Sequence, residues 1–193
     1  MSDIVFLIII ATIVVQRLIE SYLPNSQKMK GMKMAKWTWI AFSMTYPLLI
    51  FGSVGEYFLI PRRINLWISG MGAVIVAIRI WLKWWAMLTL GEYWSVQIEI
   101  RESHKLTKDG PYRYLRHPAY LSNLMEYLGV PFIANAYYTL IGVLLIYLPL
   151  NLIRLRLEER ELIRKFGEEY EDYRNKVPAL FPIRRQILFP TKK

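Results

Sequence analysis

LSNLMEYLGVPFIANAYYTLIGVLLIYLPLNL, from Leu121 to Leu152, is apolar over most of its length and is broken at Asn135. A bilayer core takes about 20 helical residues, so this run is too long for one crossing and short for two full ones. A helical hairpin of two partly tilted spans, turning around Ala134-Asn135-Ala136, accommodates it.

Working outward, three more apolar runs precede the hairpin. Ile4 to Ile19 is interrupted only by Thr12, Gln16 and Arg17. It lacks a basic leading region and a small-residue cleavage site, so it reads as a retained span. Trp37 to Ile60 follows, with Glu56 near its far end, and then Leu66 to Leu90. Trp67 and the cluster Trp81, Trp84 and Trp85 read as interfacial anchors. The pattern predicts an all-α integral membrane protein of about five transmembrane helices. After Arg154 the chain turns polar and amphipathic, with Leu162, Phe166, Tyr170 and Tyr173 at helical spacing.

Composition agrees. The 193 residues are 54% hydrophobic and 15% aromatic, with a mean hydropathy of +0.23, a mix that suits one multi-pass membrane domain. The chain has no cysteine, which removes disulfides, thiolate nucleophiles and Cys-ligated zinc. Two histidines and no carboxylate-rich loop predict no metal. The net charge of +10, beside long apolar runs, reads as basic loops facing anionic lipid rather than nucleic acid. No G-x-G-x-x-G follows a strand, so a soluble dinucleotide-binding domain is not expected. Gly70-Met71-Gly72-Ala73 is a packing signal.

Loop charges set the orientation. Lys28, Lys30, Lys33 and Lys36 follow the first span. Arg101, Lys105, Lys108, Arg113 and Arg116 precede the hairpin, and the tail from Arg154 is strongly basic. The hairpin turn carries no charge. These features predict the amino terminus outside and the carboxyl terminus inside; Arg62 and Arg63 dissent.

Candidate chemistry falls on that predicted cytoplasmic face. His104-Lys105-Leu106-Thr107-Lys108-Asp109-Gly110-Pro111-Tyr112-Arg113-Tyr114-Leu115-Arg116-His117-Pro118-Ala119-Tyr120 is a polar and aromatic island that holds both histidines. Asn151, Arg154, Glu158 and Glu161 recur at spacings of three and four, on one face of a helix leaving the membrane. A hairpin returns the chain to the face it left, so Arg116-His117 and Arg154/Glu158 are expected within reach. A basic pair there suits an anion, and a carboxylate suits ribose hydroxyls or an amine. The alternative is a solvated helix start with acids in its first turn. Glu126, inside the hairpin's first span with Asn123, reads either as a functional intramembrane acid or as a partner of Arg79 or Lys83.

The order His104-x-Leu106, Gly110-x-Tyr112, Arg116-His117-Pro118-x-Tyr120, Arg154-x-x-x-Glu158-Glu159, Phe166-Gly167-Glu168-Glu169-Tyr170 and Tyr173-x-x-x-Val177 resembles the isoprenylcysteine carboxyl methyltransferase family. That family is related to membrane phospholipid methyltransferases. The resemblance spans Gly91 to Pro182; earlier residues match only as generic spans. It implies transfer of a methyl group from S-adenosylmethionine to the carboxylate of a lipidated cysteine. The cofactor pocket would lie on the cytoplasmic face, formed by a loop and the C-terminal helix. Cofactor contacts carried over by position are Gln97, His104, Lys105, Leu106, Thr107, Tyr112, His117, Pro118, Ala119, Tyr120 and Glu158. Arg154 matches the position that meets substrate, and Arg116 would be a second holder of the carboxylate.

The implied division is residues 1–90 as three spans and 91–193 as the catalytic region of one integrated domain. Its expected partners are membrane lipids and a lipophilic substrate entering from the bilayer. Thr107 stands where the family often has Val, and Ala119 and Leu121-Ser122 replace other small residues near the lipid entrance. The short chain is like the prokaryotic branch. Three rival readings are a phospholipid N-methyltransferase, an NADPH-dependent reductase of the sterol-reductase type with Glu126 as its acid, and a non-enzymatic lipid-binding scaffold.

Overall fold

The structure is a computed structural model that describes residues 2–22, 32–34, 36–94, 98–100 and 106–181. It is built of α1 (Asp3–Tyr22), α2 (Lys36–Leu59), α3 (Leu66–Leu90), α4 (Pro118–Ala134), α5 (Tyr137–Phe166) and α6 (Glu168–Lys176). Among the described residues, three helices are long and apolar enough to cross a membrane: Asp3–Ser21, Leu66–Leu90 and Tyr137–Phe166. Their outward residues are large and apolar, Ile8, Trp67, Val74 and Leu145 among them. Such a surface suits lipid rather than water. The protein is a membrane protein. Of the other two expected spans, α4 is only 17 residues long, and α2 is diluted by Thr45, Ser53 and Glu56.

The expected break at Asn135 is present. Asn135 takes left-handed backbone angles, φ 54° and ψ 34°, a conformation that asparagine tolerates better than most residues. Its side chain then ties the turn to the start of α3. Nδ2 donates to Ser69 Oγ at 2.8 Å, and Oδ1 accepts from the Asn65 amide at 2.9 Å. Arg62 donates to the Asn135 carbonyl and, at 2.7 Å, to Glu56. Glu56 in turn accepts from the amides of Tyr138 and Thr139 at the start of α5. The arginine that dissented from the charge pattern is therefore engaged in closing this end of the molecule.

α3 and α4 run antiparallel in close contact. A Cβ at Gly72 would lie 2.6 Å from the Ile133 amide nitrogen and 2.7 Å from the Gly129 carbonyl oxygen. Backbone cannot yield as a side chain can, so glycine is what permits the approach. Gly70, in the same expected packing stretch, instead faces open space. The core lies between α1, α2, α3, α4 and α5 and includes Phe6, Leu49, Val76, Tyr127, Val130 and Tyr147. Phe6 stacks on Tyr57 at 3.8 Å, and Tyr127 on Tyr147 at the same distance.

A buried charged box joins α1, α3 and α4. Arg79 donates to Glu20 at 2.7 and 2.9 Å, to Glu126 at 2.6 Å and to Gln16 at 2.8 Å. Arg17 lies 3.3 Å from Glu126 and donates to Asn123 at 3.0 Å. Lys83 also donates to Asn123, at 3.1 Å. Of the two partners considered for Glu126, the structure selects Arg79 and adds Arg17.

Two features depart from the sequence reading. α5 continues unbroken to Phe166, and the periodic tail is split at Gly167, φ 54°, into α5 and α6. A glycine at positive φ ends a helix whatever apolar pattern follows it. The chain also contains an antiparallel pair of three-residue strands, β1 (Met32–Met34) and β2 (Ile98–Ile100), with Lys33 opposite Glu99. Three residues are too few for a readable alternation.

Candidate active site

The loop before α4 is shaped first by Gly110. Its φ is 55°, and a Cβ there would sit 2.5 Å from Thr89 Oγ1 and 3.2 Å from Trp85 Nε1. Only glycine lets the short turn Gly110–Arg113 rest against the end of α3. The turn buries Tyr112. Burial and then the nearby charge of Glu158 push the Tyr112 hydroxyl well up, so it stays a neutral phenol. Its carbonyl accepts from the hydroxyl of Tyr173 on α6 at 2.5 Å. Burial raises the Tyr173 hydroxyl too, which keeps it a donor.

His117-Pro118 then starts α4. Proline lacks an amide hydrogen that the first helical turn does not use, and its fixed φ suits that position. The amides of Arg116 and His117 donate to the carbonyls of Pro178 and Ala179, at 2.9 and 3.0 Å. The chain after α6 is thereby fastened to the loop. Arg116 reinforces the join. Its Nε and Nη2 donate to Glu159 Oε1 at 2.9 and 2.6 Å, and Nη1 to the carbonyls of Arg174 and Val177 at 2.7 and 2.6 Å. His117, buried, places Nε2 3.2 Å from the same Glu159 oxygen. Glu159 is the hub of this clasp.

Beside it lies a second hydrogen-bonded chain. The Tyr120 hydroxyl donates to Glu158 Oε2 and accepts from Arg154 Nε at 3.0 Å. Glu158 Oε1 is 3.8 Å from His117 Nδ1, and the Glu158 side chain is 30% exposed against 10% for Glu159. One of these neighbouring carboxylates is thus structural and enclosed, and the other is partly exposed. Arg154 is buried, with its guanidinium 5.3 Å from the ring centre of Phe42 on α2. A buried cation therefore sits one helical turn from a partly exposed anion, linked through one hydroxyl.

Of the residues singled out in the sequence, Arg116, His117, Tyr120, Arg154 and Glu158 come together here. Pro118 is buried and Ala119 half-buried at the start of α4, and Leu106 and Thr107 are half-buried in irregular chain. Tyr112 belongs to the same wall. Gln97, His104 and Lys105 lie outside the described residues. Sequence reasoning passed over Glu159, Phe42 and Tyr173. Adjacency to Glu158 in the motif was a signal for Glu159; Phe42 had none.

Comparison with known proteins now has a geometry to meet. The model of the isoprenylcysteine carboxyl methyltransferase family matches residues 71–164. The chain is 30% identical over 162 residues to the uncharacterized protein YpbQ of Bacillus subtilis, covering 81% of this chain and 96% of that one. It is 34% identical over 118 residues to the protein-S-isoprenylcysteine O-methyltransferase of Xenopus laevis, covering 60% of this chain and 41% of the frog enzyme. The chain thus matches about two fifths of the frog enzyme's length. The solved structure of a eukaryotic intramembrane Ras methyltransferase, isoprenylcysteine carboxyl methyltransferase, shares the fold. It superposes with a TM-score of 0.58 at 24% identity, over 79% of this chain and 55% of that one. The chain belongs to the isoprenylcysteine carboxyl methyltransferase family.

Proposed function

We propose that the protein is an S-adenosylmethionine-dependent membrane methyltransferase that methylates the carboxylate of an isoprenylcysteine-like or other lipophilic acceptor. The observation that carries the reading is the Tyr120 hydroxyl joining partly exposed Glu158 to buried Arg154. A water-soluble cofactor and a membrane-soluble acceptor need neighbouring sites of opposite charge and opposite exposure, and this pair supplies them.

The residues fit the cofactor. Glu158 Oε1 has His117 Nδ1 at 3.8 Å, longer than a hydrogen bond. It retains the capacity to accept from ribose hydroxyls or an amine. Tyr112, His117 and Tyr120 wall the same side. When bound, S-adenosylmethionine supplies a sulfonium methyl open to direct attack by an oxyanion.

A carboxylate is already ionised at neutral pH, so no base has to remove a proton. The protein's task is to aim the oxygen and exclude water. Arg154 takes the acceptor carboxylate, and Tyr120 with the Phe42 ring fixes the guanidinium plane. Arg116 acts as a positioning residue, holding Glu159 and the chain after α6 in place. An ammonium acceptor would meet the positive charge of Arg154, which favours a carboxylate over an amine lipid. Glu126, the acid that a reductase would need, is engaged by Arg79 and Arg17.

In this reading α1 to α5 are five spans, with the amino terminus outside and the site on the cytoplasmic face. Residues 1–90 frame the region 91–193 that carries the chemistry. Acceptor and membrane lipids are its partners.

Calorimetry of the purified protein is expected to detect binding of S-adenosylhomocysteine and none of NADPH; the reverse would overturn the reading. Glu158→Gln removes a charge-assisted hydrogen bond, a loss of about 1.5–3 kcal/mol. S-adenosylhomocysteine affinity should fall roughly ten- to a hundred-fold in the folded variant. Unchanged affinity would reduce Glu158 to a helix-surface acid.

A further inference from the structure

Asn151 lies on α5 one helical turn before Arg154, and neither the clasp nor the proposed mechanism uses it. Its side chain is 2% exposed. Nδ2 donates to the Tyr147 hydroxyl at 2.8 Å. Tyr147 is itself fixed, stacked on Tyr127 at 3.8 Å and edge-on to Phe42 at 5.3 Å. Phe42 is also the ring beneath Arg154. The ring contacts fix where the hydroxyl lies, and with Nδ2 on it the buried Oδ1 has no hydrogen-bond partner among the described residues. Buried carbonyl oxygens are nearly always paired, so one held without a partner beside a substrate-binding arginine calls for an explanation.

We propose that Asn151 is a specificity residue whose Oδ1 accepts the N–H carried by the acceptor next to its carboxylate. The oxygen can only accept, so it selects a donor. With Arg154 on the carboxylate and Asn151 one turn deeper, the pair reads an N-acylated amino acid, such as an S-alkylated cysteine within an amide. A simple fatty or thioether acid offers the carboxylate and leaves Oδ1 unpaired. Sites built around a hydrogen bond discriminate against ligands that lack its partner. The inference rests on the proposed carboxyl methylation at Arg154.

The test uses two acceptors that differ only in the acetamido group, N-acetyl-S-farnesylcysteine and S-farnesylthiopropionic acid, with full-length wild type and Asn151→Leu. Wild type is expected to favour the acetamido acceptor in kcat/KM by about ten-fold or more. In Asn151→Leu that ratio should fall to within about two-fold of unity, while S-adenosylhomocysteine still binds. The same ratio in both proteins, or a wild-type ratio near one, would overturn the inference and leave Oδ1 to a buried water. Methylation of neither acceptor by wild type that binds S-adenosylhomocysteine would instead sink the carboxyl-methylation reading, and the inference with it. Should Asn151→Leu fail to fold, Asn151→Asp reads the same contact. Its carboxylate should shift preference about ten-fold or more toward S-farnesylcysteine with a free ammonium over the N-acetyl form, and no shift would overturn the inference.

Discussion

Arg79→Met is expected to abolish the folded protein or lower its melting temperature severely. The guanidinium bonds Glu20 and Glu126 at once, and it is 1% exposed. Removing one partner of a buried ion pair leaves uncompensated charge, at about 3–5 kcal/mol. That is a large part of the roughly 5–15 kcal/mol that holds a typical fold together. Arg17 does not replace it, lying 3.3 Å from Glu126 and 3.6 Å from Glu20. Neutralising one carboxylate as well, as Arg79→Met with Glu20→Gln, should recover most of the loss, because Glu126 then keeps Arg17 as its partner. Folded yield by size exclusion and thermal melting in detergent check both. A melting temperature for Arg79→Met within about a degree of wild type would mean that the box contributes little.

Arg154→Lys should cut turnover on a carboxylate acceptor by about a hundred-fold or more, because a small misplacement of the reacting group has effects of that size. Lysine keeps the charge and loses the planar fork. It also cannot bond Tyr120 through an Nε–H while its charge sits over Phe42, as Arg154 does. S-adenosylhomocysteine affinity should change by less than about three-fold, since the charged grip on the cofactor is assigned to Glu158. Single-turnover assays with N-acetyl-S-farnesylcysteine, paired with calorimetry, separate the two effects. Equal activity in variant and wild type would remove Arg154 from the mechanism. Methylation of an amine lipid alone would move the assignment to the phospholipid branch.

The sequence disclosed most where a residue acts locally. Asn135 marks the hairpin turn because its own backbone takes the left-handed conformation, and that preference travels with the residue. Pro118 and Gly110 are legible for the same reason. The polar residues of the first span were visible as interruptions, but their partners were not. Arg17 meets Asn123 across 106 positions, and Arg79 meets Glu20 across 59. No periodicity encodes such pairs; they follow from how the helices pack. Phe42 was hidden in the same way, inside an ordinary apolar run, and Asn151 was singled out by its spacing without its partner Tyr147. Glu159 was passed over because two adjacent glutamates look alike in a motif and are told apart only by burial and partners.

α5 carries Asn151, Arg154, Glu158 and Glu159 without a break. Positions on a continuous helix advance by about 1.5 Å per residue, so Asn151 and Glu158 are roughly 10 Å apart along its axis. The helix is a graduated rod, and the marks on it are separated by fixed intervals along its axis. A bilayer that thickens or thins tilts the rod as a whole and leaves the intervals between its marks unchanged. In the proposed reading, the spacing between the residues that hold cofactor and acceptor is therefore measured by helix pitch and stays constant across membranes of different thickness.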